Sequence, residues 1–195
     1  MEASGLDREA IERHAGEVLG EVPSWIWDGE TLPVPVEHIV DSCYGLLVRE
    51  VEDMTKAPGF PEPGASVSGL LLAGSGEIWV NAAEARQWPA RRRFTLGHEL
   101  GHWVLHRSGQ EALFCRRATV APEETPADSR PPQPVTEEEA NMFAAALLMP
   151  AELMRRHYRD TRGRPDCFEE MCRRFGSSAA AMGKRLHQTV PRSGE

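Results

Sequence analysis

Apolar residues recur at helical spacing in several separate stretches of the chain. In residues 6–20 they lie three or four positions apart, which predicts an amphipathic helix. Residues 36–44 repeat the pattern over a shorter length and stop at Gly45, so a second, short helix is predicted there. A longer helix is predicted from Pro89 to Gly109, where a glycine suits a left-handed C-cap.

Strand patterns occur in the first half of the chain. The segment "GLLVREV" (45–51) alternates between apolar and polar residues, which predicts a strand. The segment "SGLLLAGSGEIWVNA" (68–82) holds two short apolar runs on either side of Gly74-Ser75-Gly76, a pattern typical of a β-hairpin. These segments predict a small antiparallel sheet.

The C-terminal half is predicted to be helical after one loop. Residues 116–135 are rich in proline and charge, which favours a flexible loop. The segment "TEEEANMFAAALLMP" (136–150) has a helical pattern that Pro150 helps to end. The tail, "PDCFEEMCRRFGSSAAAMGKRLHQTV", predicts two short helices around a turn at Gly176, an arrangement like a helix-turn-helix.

Together these elements predict an α+β fold. A mostly helical domain with the small antiparallel sheet is expected over residues 1–160, followed by a helix-turn-helix-like helical tail over residues 161–195. The length of 195 residues, with 41% hydrophobic and 27% charged residues, suits a globular chain with one substantial core.

Composition predicts a cytoplasmic protein without membrane contact. No apolar run approaches the roughly 20 residues that span a bilayer. The acidic, helical N-terminus does not resemble a signal peptide. The four cysteines include no C-x2-C pair, so reduced thiols are expected.

Charge is distributed unevenly. The net charge is −8, yet between Arg155 and Arg192 ten Lys or Arg residues stand against four Asp or Glu, a balance of +6. A basic tail on an acidic body suits docking on a protein partner or plain helical packing. We do not expect direct DNA binding, because the acidic body repels a polyanion.

The segment "RRRFTLGHELGHWVLH" (91–106) carries the clearest chemistry. His98 and His102 are four residues apart, so on a helix both imidazoles point to one side and can bind zinc. Glu99 stands beside them, where its carboxylate can take a proton from a water activated by the metal. H-E-x-x-H on a helix is the zinc-protease signature.

The alternative is a helix that carries two histidines without a metal. Gly97 and Gly101 favour the metal site, because each costs about 1 kcal/mol inside a helix and suggests a compensating close approach. Three arginines, Arg91–Arg93, lie near the helix N-terminus, where positive charge opposes the helix dipole. They form either a partner-binding patch or a solvated face.

A third zinc ligand is expected from the acidic run Glu137–Glu139. By helical angle Glu138 points to solvent, whereas Glu139 lies at the flank of the apolar stripe and Glu137 lies in the fraying first turn. Geometry favours Glu139 over Glu138, although Thr136 and Glu139 also fit a capping box without a metal. His106, one turn beyond His102, would strain a tetrahedral site and is expected to play a supporting role.

These residues resemble a known family. The zinc helix, followed by "EEEANMFAAALLMP", is similar to the ImmA/IrrE metallopeptidases, relatives of the gluzincins, and the likeness extends over about residues 6–190. The resemblance implies a metalloendopeptidase with Glu99 as general base and His98, His102 and the glutamate of the E-A-N motif, Glu139, as ligands. It also implies zinc as cofactor, with manganese possible, and cleavage of a helix-turn-helix repressor that turns on stress-response or mobile-element genes.

Weaker candidates surround this core. Asn141 occupies the motif position beside the third ligand and is a candidate to support the metal centre. Trp79 and Asn81 lie on a strand that could form the sheet edge beside the zinc and receive substrate. His157 and Tyr158 are candidate oxyanion stabilisers. The competing hypothesis is a non-catalytic zinc module that binds a repressor or DNA, and Glu99 discriminates, because a pure binder needs no base.

Overall fold

The computed structural model describes residues 5–56, 67–106, 113–117 and 135–190. Within these residues the chain forms eight α-helices and four strands, which confirms the α+β class. The helices are α1 (Arg8–Glu21), α2 (Val36–His38, continued by a π-helical turn over Ile39–Cys43), α3 (Ala82–Gln87), α4 (Pro89–His106), α5 (Val135–Leu148), α6 (Ala151–Thr161), α7 (Cys167–Phe175) and α8 (Ala179–Thr189). The strands are β1 (Leu47–Val51), β2 (Val67–Leu72), β3 (Glu77–Asn81) and β4 (Leu113–Arg117).

Most of the predicted elements are present. The first helix begins at its N-cap Asp7, whose side chain accepts a hydrogen bond from the amide of Ala10 at 2.7 Å. The hairpin of β2 and β3 forms as expected. The predicted end of the long helix at Gly109 and most of the predicted 116–135 loop lie outside the described residues. The short helix α3, the helix α6 and the strand β4 were not predicted.

The sheet is mixed, with the strand order β1-β3-β2-β4. Strand β2 pairs antiparallel with β3, as expected. It also pairs antiparallel with β4, and β1 pairs parallel with β3. Ile78 and Val80 of β3 point to the main helical core, and Trp79 between them packs on a small cluster with Met54 and Leu70. Strand alternation therefore puts Trp79 on the face away from the helices.

Helices α4 and α5 cross at closely spaced small residues. A Cβ added at Gly101 would lie 3.1 Å from the Cα of Ala140 and 3.1 Å from Cδ1 of Phe143. A Cβ at Gly97 would lie 3.4 Å from Cβ of Ala144. This contact explains both glycines: the helix backbone approaches its partner where a side chain would separate them, and the close packing offsets their poor helix propensity.

The crossing predicts different outcomes for two Gly→Ala changes in the same helix. Gly97→Ala fits at ordinary contact distance, whereas Gly101→Ala must displace the backbone of α5. Both variants gain the same helix propensity. The free energy of unfolding of Gly101→Ala is therefore expected to be about 1–3 kcal/mol lower than that of Gly97→Ala. Denaturant unfolding of the two variants measures this, and equal stabilities would contradict the close crossing.

The C-terminal helices pack on the same core as the rest of the chain. Met171, Phe175 and Met182 belong to one buried cluster with Leu147 and other residues of α4, α5 and α1. Helices α7 and α8 are joined at Gly176, where the sequence predicted a turn, and this glycine has a left-handed φ of 60°. The helix-turn-helix-like arrangement is therefore built into the main core.

Among the described helices, none combines the length and apolar character that crossing a bilayer requires.

Candidate metal centre

His98 and His102 lie one turn apart in α4 and are both fully buried. Their Nε2 atoms are 3.0 Å apart, and the two rings meet edge to face. The Nδ1 atom of His98 is 3.1 Å from Oδ1 of Asn141 in α5. When Nδ1 donates its proton there, the lone pair of Nε2 faces the space shared with His102, which is the tautomer a metal requires.

Glu137 completes the group. One of its carboxylate oxygens lies 3.1 Å from Nε2 of His102, and the other lies 3.4 Å from Nε2 of His98. Burial alone would raise the pKa of Glu137, but hydrogen bonds with His102 and His98 outweigh it and lower the pKa to about 2. The carboxylate is therefore ionised at neutral pH and can act as a ligand.

The donor set fits a zinc ion. Zinc bonds of roughly 2.0–2.1 Å in tetrahedral geometry set ligand atoms about 3.3–3.4 Å apart. The observed separations of 3.0, 3.1 and 3.4 Å lie close to that spacing. The three side chains offer ligand atoms that all lie within 4.8 Å of one another. Glu137 is 19% exposed while both histidines are buried, so the open side of the group lies towards solvent near Glu137.

The structure brings Glu137, and not the predicted Glu139, to the histidine pair. The crossing of α4 and α5 gives the reason. Ala140 and Ala144 face α4 at Gly101 and Gly97, and Glu137 lies three residues before Ala140 on the same face. Helix α5 also begins at Val135, so Thr136 is already helical and is not the N-cap that the capping box assumed.

Glu99 is fully buried under strand β2. A Cβ added at Gly69 would lie 2.2 Å from Cγ2 of Thr95 and 3.2 Å from Oε1 of Glu99. Only a glycine lets the strand backbone come this close to the carboxylate. Gly69 was not among the residues predicted from the sequence, although a glycine inside a strand is the usual mark of a close approach.

A family model matches residues 65–187 as the IrrE N-terminal-like domain of Peptidase M78. The match spans α4, α5 and the histidine–glutamate group between them. The chain belongs to the Peptidase M78 family. This confirms the resemblance to ImmA/IrrE proteins. A comparison with curated proteins gives no match. The M78 match runs across residue 160, and the domain boundary placed there stays a prediction.

Two of the weaker candidates lie close to the candidate metal centre. Asn141 contacts His98, as described above. The Nε2 atom of His106 lies 3.3 Å from Oε2 of Glu139. Burial lowers the pKa of His106, and the nearby charge of Glu139 opposes that shift.

The other candidates have different roles in the structure. Trp79 donates from Nε1 to Glu77 at 2.7 Å on the far face of the sheet. Asn81 is the N-cap of α3, where its side chain accepts from the amide of Glu84 at 3.1 Å. Strand β3 lies between β1 and β2, so it is not an edge of the described sheet. Tyr158 packs on the main core from α6.

The three arginines before the motif form contacts within the chain. Arg92 makes a bidentate pair with Glu37 at 2.8 Å and reaches Glu50 at 2.9 Å. Arg93 donates to the carbonyl of Val34 at 2.7 Å. Arg91 lies over the ring of Trp88, 5.1 Å from its centroid. The arginines thus connect the start of α4 to neighbouring elements, a use that neither sequence interpretation included.

Proposed function

We propose that this M78 family member is a zinc-dependent endopeptidase in which His98, His102 and Glu137 hold the metal and Glu99 is the general base. One observation carries the proposal: two buried imidazoles and an ionised carboxylate meet at the spacing of zinc ligands, and Glu99, the residue after His98 in the same helix, carries a fully buried carboxylate. Manganese is a possible substitute, because a site that includes a carboxylate accepts more than one metal.

The chemistry follows from the positions of these side chains. His98, His102 and Glu137 would hold a zinc ion, which would supply Lewis acidity and bring the pKa of a bound water to about 7. Glu99 accepts a proton from the attacking water as its oxygen bonds to the carbonyl carbon. Glu99 then returns the proton to the departing amine nitrogen as the C–N bond breaks. Asn141 orients the His98 ring throughout.

We infer that the substrate binds as an extended peptide at the edge of the sheet. Within the described residues, β4 is the edge strand next to β2, and β2 packs on α4 at Glu99. An extended peptide can pair with such an edge through its backbone. The proposed substrate-binding strand is therefore β4, and not β3, which was the candidate from the sequence. A flexible segment between folded domains can reach it, and a folded domain cannot.

The partner follows from the family resemblance. We propose that the protein acts in the cytoplasm and that its substrate is a helix-turn-helix transcriptional repressor. Cleavage of that repressor would derepress stress-response or mobile-element genes. The basic balance of the C-terminal helices on an acidic chain supports docking on one chosen protein partner, and does not suit a general digestive enzyme.

The test is to incubate the zinc-loaded protein with candidate helix-turn-helix repressors and with casein, and to identify fragments by mass spectrometry. Cleavage at one site in one repressor, prevented by a chelator, is the expected result, with slow or absent cleavage of casein. Rapid digestion of casein without preference for any repressor would defeat the substrate proposal while leaving the peptidase proposal intact.

A further inference from the structure

Glu139 is a buried carboxylate that the proposed reaction does not use. Its exposed fraction is 4%, and its two oxygens have separate partners. Oε1 accepts the backbone N–H of Leu6 at 2.5 Å, and Oε2 lies 3.3 Å from Nε2 of His106. A carboxylate is kept in such a place only when hydrogen bonds or charges compensate for its lost hydration. Both partners belong to other elements of the fold.

These contacts surround Glu137. His106 is the last residue of α4. Its ring contacts Glu139 and also forms a hydrogen bond with the backbone of Thr136. The end of α4 is thereby connected to the residues on both sides of Glu137 in the first turn of α5. The first turn of a helix lacks intrahelical acceptors for its amides and frays unless tertiary contacts hold it. A metal ligand in that turn needs such support.

The N-terminal segment contributes the other contact. A Cβ added at Gly5 would lie 2.8 Å from Oε1 of Glu139, so the backbone passes directly over this carboxylate. From there α1 runs along α5, where Glu12 pairs with the buried Arg185, which donates to the carbonyl of Met149 at 2.8 Å. The segment before residue 65 lies outside the family match, yet it contacts the start of α5 directly and, through Arg185, the residue that follows α5.

We propose that Glu139 is a positioning residue that, held by His106 and the Leu6 amide, fixes the first turn of α5 and so places Glu137 at the two histidines. The inference rests on the proposed function, since it assigns Glu137 as a ligand. It gives the N-terminal segment a part in metal binding that the matched family region does not contain.

The test measures the zinc dissociation constant by competition with a chelator, together with the visible spectrum of the cobalt-loaded protein. Glu139→Ala removes the carboxylate that makes both contacts and is expected to weaken zinc binding by about 10–100-fold, the usual effect of losing a residue that supports a metal ligand. Glu139→Gln keeps an acceptor for Leu6 and offers an amide N–H to His106, so it should restore most of the affinity.

A second pair of variants tests the contact from the other side. Leu6→Pro removes the N–H donor, whereas Leu6→Ala keeps it and changes only an exposed side chain. Leu6→Pro should weaken zinc binding and shift the cobalt spectrum, and Leu6→Ala should match the wild type. If Glu139→Ala does not fold, this pair of variants still tests the positioning role of Glu139.

Each outcome has a distinct meaning. Wild-type zinc affinity in both Glu139→Ala and Leu6→Pro would overturn the positioning role and leave the peptidase proposal standing. Loss of metal in Glu139→Gln as complete as in Glu137→Ala would overturn it in favour of Glu139 as a ligand. Failure of the wild-type protein to bind zinc or cobalt would instead reject the proposed function.

Discussion

Replacing Glu99 with glutamine is expected to slow peptide cleavage by about 10²–10⁴-fold, the range that a general base contributes. The amide is nearly the same size as the carboxylate but cannot accept a proton from water at neutral pH. Glu99 is buried and does not belong to the histidine–glutamate group, so the metal content of the variant should equal that of the wild type. The measurements are repressor cleavage rate and bound zinc in the same preparations.

The matched control is Glu138→Gln, the same chemical change at an exposed position in the first turn of α5. It should leave both cleavage and zinc binding unchanged. Cleavage by Glu99→Gln at the wild-type rate would place the base elsewhere. Zinc bound without any cleavage in the wild type would favour the alternative, a non-catalytic zinc module.

Local patterns made the helices and the hairpin predictable, because their signals lie within a few residues. The H-E-x-x-H segment, the turn at Gly45 with φ 64° and the cap at Gly176 are of this kind. The sequence does not predict helix α6, because Pro150 suits the end of α5. With φ −56° and ψ 132° it also begins the next helix, since proline suits the start of a helix as well as a stop.

Pairings between distant segments were not predictable in the same way. The sequence places β3 after β2 but does not say that β1 inserts parallel beside β3 and turns it into an interior strand. Strand order depends on which helices cover the sheet, and those contacts join residues far apart in the chain. Trp79 and Asn81 were candidates only if β3 was an edge strand. Because β3 is an interior strand, neither residue lies at a sheet edge.

The proposed third ligand, Glu137, was nearly predictable from the sequence. Glu137 was set aside because it lies in a first turn, and a first turn in isolation does fray. The glycines of α4 indicate which face of α5 packs against it. Gly97 and Gly101 require small partners, and Ala140 and Ala144 are the matching small residues in α5. Extending that face back by one turn leads to Glu137.

Glu137→Ala is accordingly expected to abolish stoichiometric zinc binding. It removes the carboxylate that lies within 3.4 Å of both imidazole nitrogens and leaves two protein ligands where a catalytic zinc needs three. The loss of affinity should exceed the roughly 100-fold upper range for a supporting residue. Glu138→Ala, one residue further and exposed, should retain full metal. Metal analysis of the two purified variants beside the wild type measures this. Retained zinc in Glu137→Ala, with loss in Glu138→Ala, would mean that α5 is rotated by about 100° from the arrangement described here.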